Sequence, residues 1–511
     1  MVIASQDDTA SMELETMLNR MQKLVLQYVR DGQSTDQAVV EYHSPDQLYK
    51  RIDFELPDEA SGIDGTFDLI KSTLQYSVNA WNPRFMDKLY ASTNPIGVIS
   101  ELLLAVLNSN AHVYHVSPVL TLMEIEVTKA TAKLLGMGDK GGGLLCPGGS
   151  ASNLLAMITA RNTLYPTIKT EGYMPRPFNP AADYGKLTIF TSTHSHYSIS
   201  KSAQVLGLGS SNVVQVPVDD DGCMHTDALA QLLQESIARG ETPFFINATA
   251  GTTVLGAFDP IREISVIAKK FNCWLHVDGS WGASAVFSQH LMATQSWLDG
   301  SELADTFTIN PHKLLGVPLQ CSMLLTPHQG HLLFAKANSL KADYLFHGNP
   351  YDLGDGTVGC GRRPDAAKIF LAWKFYGREG LGQRVELAVS KAAQFTDLVR
   401  QRYSHGFLLV KDPCPFLQIC FWFIPSGLPI ATWRQQHIYD DKLSSITREI
   451  HRRLNASGQF MVDHAPVKDI PDFFRVVINA PSVNVHRDLS LLLDAIETIS
   501  KDIDWLNYLS S

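Results

Sequence analysis

The chain has 511 residues, 45% apolar and 18% charged, enough for a large core and two or three lobes. Its formal net charge of −10 argues against a nucleic-acid binder that works through a basic surface, and no run of about eighteen apolar residues marks a membrane span. Seven scattered cysteines with no C-x-x-C pair fit reduced thiols in a cytoplasmic protein better than a disulfide framework or a zinc site.

In chain order, Met1-Val2-Ile3-Ala4-Ser5-Gln6-Asp7-Asp8 lacks a basic region followed by an apolar one, so no secretory signal is expected. Residues 1–60 read as polar and partly helical, with an amphipathic run over residues 14–21. From about 95 to 135 apolar residues recur at helical spacing. Gly141-Gly142-Gly143 reads as a loop. Cys146-Pro147-Gly148-Gly149-Ser150-Ala151-Ser152-Asn153 opens a helix expected over 154–161. Small residues there let backbone N–H groups approach an anion, the helix N-terminus favours negative charge, and Ser150 and Ser152 offer hydroxyl donors. An ordinary glycine turn with a Ser cap has the same composition.

Strands are expected at 187–190, 213–216, 244–246, 274–277, 306–309 and 322–325, with helices between several of them, among them 228–238 and 264–271. This alternation predicts an α/β domain with a mostly parallel sheet, whose ligands gather at the carboxyl ends of the strands. After about 380 the pattern becomes α+β, with strands near 407–410 and 473–478 and a closing helix. The expected division is 1–85 as a mostly helical N-terminal segment, 86–378 as a large domain and 379–511 as a small C-terminal domain.

Two of the expected strands end in reactive residues. Trp274-Leu275-His276-Val277-Asp278 ends in a carboxylate, and Thr306-Phe307-Thr308-Ile309 runs into Asn310-Pro311-His312-Lys313. A Lys and an Asp at neighbouring strand ends are what pyridoxal 5'-phosphate (PLP) needs. The amine bonds its aldehyde carbon, and the carboxylate keeps its pyridine nitrogen protonated so that the ring accepts electrons. Taken singly, such a Lys is more often solvated and such an Asp more often a cap or turn former.

Taken together, the chain resembles the group II PLP-dependent amino-acid decarboxylases, in the branch of glutamate, cysteine sulfinate and animal aspartate decarboxylases. The likeness covers roughly residues 75–500. It runs through Asn82-Pro83-Arg84-Phe85, Ser117-Pro118-Val119, Pro147-Gly148-Gly149, Ser195-His196-Tyr197-Ser198-Ile199 and Asn247-Ala248-Thr249-Ala250-Gly251-Thr252-Thr253. It continues through His276-Val277-Asp278, Asn310-Pro311-His312-Lys313, Cys360-Gly361-Arg362 and Phe473-Phe474-Arg475. The resemblance implies PLP fold type I, the aspartate-aminotransferase architecture: a large domain with a mostly parallel sheet and a smaller α+β C-terminal domain. It also implies a homodimer with active sites near the subunit interface.

The same resemblance implies roles. Lys313 resembles the Schiff-base lysine, Asp278 the pyridine-nitrogen partner, His196 the histidine stacked on the ring and Thr253 the threonine beside the cofactor. Gly149, Ser150, Asn310 and His312 match positions around the phosphate. Arg475 resembles the arginine that clamps the substrate α-carboxylate, a task suited to a guanidinium fork. Tyr351, counted back from Cys360, falls on the mobile-loop tyrosine that returns a proton to Cα.

The chain departs from its relatives at several points. Gly279-Ser280 stands where two alanines are usual, which would place the Ser280 hydroxyl against the ring face. The loop His347-Gly348-Asn349-Pro350 is shorter. Lys88 replaces a Gln, Tyr90 replaces a small hydroxyl residue, and His112 and His115 replace aromatic and acidic residues. A cation in a partly desolvated pocket favours an acidic side chain, and a bulky Tyr90 shortens the cavity. The expected substrate is therefore L-aspartate, giving β-alanine, with cysteine sulfinate and glutamate behind it. Oxidative deamination to an aldehyde, or transamination, keeps the cofactor and changes the outcome; Tyr351 argues against the first. A non-catalytic binding homologue is disfavoured by the presence of Lys313, Asp278, His196 and Arg475. A metal hydrolase is disfavoured because the seventeen histidines include no H-x-x-x-H or H-E-x-x-H with a supporting acid, and no metal is expected.

Overall fold

The computed structural model describes residues 6–34, 36–176 and 178–509. Residues 1–5, the start of the segment in which no secretory signal is expected, lie outside them. Among the described residues no helix is long and apolar enough to cross a membrane. The chain divides into two compact units, one of residues 93–392 with 411–418, the other of residues 1–92, 393–410 and 419–511.

The first unit is built on seven strands: β1 (Gly142–Cys146), β2 (Leu187–Ser192), β3 (Val213–Val216), β4 (Thr242–Thr249), β5 (Trp274–Asp278), β6 (Thr306–Ile309) and β7 (Ser322–Thr326). Their order in the sheet is β1-β7-β6-β5-β4-β2-β3. The run from β6 to β3 is parallel, and β7 is antiparallel to both of its neighbours. β1, β2, β5, β6 and β7 are buried at every position. That is why they read as continuous apolar or β-branched runs: helices cover both faces, so neither face alternates with polar residues. Leu144, Leu155, Ile189, Phe245 and Phe334 share one core.

β1 is a correction to the expected loop at Gly141-Gly142-Gly143. A Cβ on Gly143 would lie 2.0 Å from the Leu324 carbonyl oxygen. The strand pairs with β7 because residue 143 has no side chain, and glycine here permits close backbone approach. The helix that follows also begins earlier than expected, at Gly149, and runs to Leu164. Its N-cap, Gly148, has φ of +95°, a conformation that L side chains rarely adopt.

The second unit carries β8 (Phe407–Leu409), β9 (Gln418–Phe423), β10 (Asp463–Val467) and β11 (Ile470–Val477) in the order β10-β11-β9-β8, with β10/β11 and β8/β9 antiparallel. Its helices include Gln6–Gln33, Tyr439–Ala456 and Ser490–Lys501. The β10/β11 register sets Asp463 directly opposite Arg475.

Candidate active site

At the carboxyl ends of β4, β5 and β6 the first unit holds a cavity of about 270 Å³. The N-terminus of the helix Gly149–Leu164 also opens on it. Every cofactor residue expected from the sequence lines it: Gly149, Ser150, His196, Thr253, Asp278, Ser280, Asn310, His312 and Lys313. Parallel pairing explains much of the convergence. Asp278 closes β5 with Thr249 of β4 on one side and Thr308 of β6 on the other, and Lys313 follows β6 after one short turn, its N–H bonded to the Asn310 carbonyl at 3.0 Å.

One end of the cavity is suited to an anion. A Cβ on Gly149 would lie 2.7 Å from both Asn310 Nδ2 and Ser280 Oγ, so the absence of a side chain there keeps the cradle open. Asn310 is oriented from behind. Ser322 Oγ donates to Asn310 Oδ1 at 2.6 Å and is itself bonded to Ser152 Oγ at 2.7 Å, which turns the Asn310 amide N–H groups toward the cavity. The Ser280 hydroxyl belongs to this end, beside Gly149 and Asn310. His312 Nδ1 lies 2.6 Å from the Cys321 carbonyl oxygen and 3.0 Å from the Cys321 backbone nitrogen, and burial pushes the His312 pKa down to about 4.

Asp278 is buried, a setting that on its own would push its pKa up. Its Oδ1 accepts the Ser280 N–H at 3.0 Å, and its Oδ2 accepts Asn153 Nδ2 at 2.8 Å. With the His196 ring and the Lys313 charge nearby, these bonds outweigh burial and hold the carboxyl below its ordinary value. The Ser198 backbone N–H donates to His196 Nδ1 at 3.2 Å, which assigns the ring proton to Nε2. Burial holds His196 below its usual pKa, with Lys313 adding to the effect and Asp278 opposing it. An ionised carboxylate, an amine and an open anion cradle thus line one cavity. This donor set fits PLP, which presents a protonatable ring nitrogen, an aldehyde and a phosphate.

Four expected site residues do not line this cavity. Tyr351 is 43% exposed and packs on Tyr114, with ring centroids 5.5 Å apart. Lys88, Tyr90 and Arg475 belong to the second unit. There Arg475 Nη2 donates to Asp463 Oδ2 at 2.7 Å and to the Asp87 carbonyl at 3.1 Å. Lys88 Nζ reaches Asp87 Oδ1 at 2.9 Å and Asp463 Oδ2 at 3.2 Å. Burial works against the Lys88 charge, but the two aspartates outweigh it and hold its pKa above the usual lysine value. The ring of Tyr90 lies 5.6 Å from that of Phe85.

Several residues in and behind the cavity wall were not singled out from the sequence. Asn153 and His276 back Asp278, and Ser322 backs Asn310. Trp281 lines the cavity, its indole N–H donating to Gln418 Oε1 at 3.0 Å, while Gln418 Nε2 donates to the carbonyls of Thr252 and Thr253. The usable signal lay in strand alternation: His276 and Asp278, two apart on β5, share a face.

The family model described as the pyridoxal-dependent decarboxylase conserved domain matches residues 45–424. An L-aspartate decarboxylase of Metarhizium robertsii is 43% identical over 466 residues, 89% of this chain and 87% of that protein. A human cysteine sulfinic acid decarboxylase is 35% identical over 480 residues, covering 93% and 94% of the two chains. A crystal structure of mouse CSAD matches with a TM-score of 0.88 at 33% identity, over 96% of this chain and 99% of that one.

Proposed function

The chain belongs to the group II PLP-dependent decarboxylases and is a carboxy-lyase of amino acids; from that premise we propose that its substrate is a short acidic L-amino acid, L-aspartate, released as β-alanine. Its fold is PLP fold type I. The enzyme reading is carried by one observation, the convergence of Asp278, Lys313 and the Gly149 cradle on a single cavity.

Gly149, Ser150, Ser280, Asn310 and His312 would hold the phosphate, with N–H and O–H donors on an anion at a helix N-terminus. Lys313 would offer the amine that holds the cofactor covalently. Asp278 would hold a proton on its ring nitrogen, His196 would offer a flat neutral face, and Thr253 would contribute to the wall beside it. PLP, when bound, supplies the electron sink for the pair left at Cα as CO2 departs. Arg475 takes the α-carboxylate and fixes the orientation of the bond that breaks. Tyr351 returns a proton to Cα, which separates amine formation from aldehyde formation. Lys88 and Tyr90 set side-chain preference.

The relative named an L-aspartate decarboxylase supports the substrate assignment, as does the cation at position 88. Cysteine sulfinate, equally short and acidic, is the second reading, supported by the human relative. We further propose a homodimer and a cytoplasmic setting. Incubating the purified holoenzyme with a panel of amino acids and identifying products by mass tests the assignment. β-Alanine from aspartate at the highest kcat/KM supports it, and hypotaurine or γ-aminobutyrate as the leading product replaces it.

A further inference from the structure

We propose that Trp274, Thr306, His276 and Asn153 form a one-directional chain of hydrogen-bond donors that keeps Asp278 anionic in its buried setting and thereby sets the acid limit of cofactor retention. The proposal rests on the reading of Asp278 as the pyridine-nitrogen partner. It goes beyond that reading by assigning work to Trp274, Thr306 and His276, which do not line the cavity.

The chain is built by strand register. His276 and Asp278 lie on one face of β5, and β6 sets Thr306 opposite His276 and Thr308 opposite Asp278. The helix Gly149–Leu164 lays Asn153 across them. All five side chains are buried. Asn153 Nδ2 donates to Asp278 Oδ2 at 2.8 Å and to Ser198 Oγ at 3.0 Å. Asn153 Oδ1 meets His276 Nε2 at 3.0 Å and accepts from Thr308 Oγ1 at 3.1 Å.

These contacts leave one consistent direction. A flipped Asn153 amide would set its oxygen against the Asp278 carboxylate, so Oδ1 is the acceptor for His276. His276 must then carry its proton on Nε2. Its Nδ1, 3.0 Å from Thr306 Oγ1, accepts the Thr306 hydroxyl, and that hydroxyl oxygen accepts the Trp274 indole N–H at 2.9 Å. Every dipole points its positive end toward Asp278, and each bond polarises the next. Burial pushes the His276 pKa down to about 4, so near neutrality the ring serves as a neutral dipole and not as a cation. The groups facing Asp278 are Lys313 as a charge, the His196 ring, the Ser280 amide, and Asn153 with His276 behind it. Of these, the His276 branch is the one that can be cut without changing the cavity lining.

Removing a donor raises the Asp278 pKa. The protonated acid no longer stabilises a cationic ring nitrogen, so cofactor retention should fail at a higher pH. Holoenzyme is dialysed across a pH series against graded free PLP, and the cofactor retained per chain is measured. For His276→Leu we expect the acid limit of retention to rise by about one pH unit, a tenfold weaker hold on that limb below about pH 5, with less than about threefold change at pH 6 and above. His276→Gln, whose amide restores an N–H donor, should track the parent. Thr306→Val, which keeps the shape and removes the hydroxyl, should move the acid limb the same way by less; it carries the test if His276→Leu does not fold. Equal loss at every pH, an unmoved acid limb, or a His276→Gln profile matching His276→Leu would overturn the proposal. If Asp278→Asn retains PLP with the parent's pH profile, the partner reading itself fails, a result distinct from failure of the donor chain.

Discussion

At the scale of single residues, Lys313 is the sharpest test of the site. Lys313→Ala should abolish both the visible absorbance of lysine-bound cofactor and amine production. A borohydride-reducible adduct on another lysine of the variant would show the assignment to be wrong. Lys88 and Arg475 pose a subtler question, because both meet Asp463. A substrate carboxylate must compete with that aspartate, and Lys88 is half exposed, so its charge is worth less than that of a fully desolvated cation. Lys88→Gln is therefore expected to cost aspartate about 1–2 kcal/mol in kcat/KM while sparing neutral amino acids. Arg475→Ala should depress every substrate, because it removes the group that orients the scissile bond. Equal loss across acidic and neutral substrates in Lys88→Gln would remove Lys88 from specificity. The expected cofactor residues were legible in the sequence because their types and spacing carry their chemistry. Asn153, His276 and Ser322 were not, because a residue that acts through another has no chemical signature until the contact between them is seen.

At the scale of elements, the central strands could be read because burial on both faces demands unbroken apolar runs. β1 could not, because its first two residues are glycines and composition alone makes Gly142-Gly143 a turn. The deciding fact is the distance to the neighbouring strand, which no local pattern contains. The antiparallel sense of β7 was equally hidden: pairing direction depends on the connection, and strand composition is silent about it. The same close approach yields a prediction. Gly143→Ala places a methyl carbon against the Leu324 backbone, which cannot rotate away as a side chain would. We expect a stability loss on the order of 2–3 kcal/mol, read as a lowered midpoint in thermal or denaturant unfolding of the holoenzyme. Gly138→Ala is the control: nothing lies within 4 Å of a Cβ there, although φ is +70°, so it costs only backbone strain. Equal effects of the two substitutions would show that proximity to β7 is not what requires glycine at position 143.

At the scale of the molecule, the question is whether one chain is a complete enzyme. The helix Pro95–Leu107 buries Gly97, Ser100 and Leu104 and leaves Ile99 57% and Val106 70% exposed, with Leu102 and Leu107 beside them. That distribution is the reverse of a surface helix, and an exposed apolar face of this kind is what a partner surface would cover. Tyr351, the proposed proton donor, does not line the cavity of its own unit. Both observations are met if a second copy covers the helix and supplies Tyr351 to its partner's cavity. Sedimentation should then show a dimer, and Ile99→Glu with Val106→Glu should give monomers that make little amine. Mixing decides whether sites are shared. Lys313→Ala and Tyr351→Phe chains each lack one group, and a random mixture that exchanges subunits should recover about a quarter of the parent's amine-forming sites, because half the dimers are mixed and each holds one intact site. No recovery after demonstrated subunit exchange would place Lys313 and Tyr351 of the same chain in one site, and the loop around Tyr351 would have to close on its own cavity.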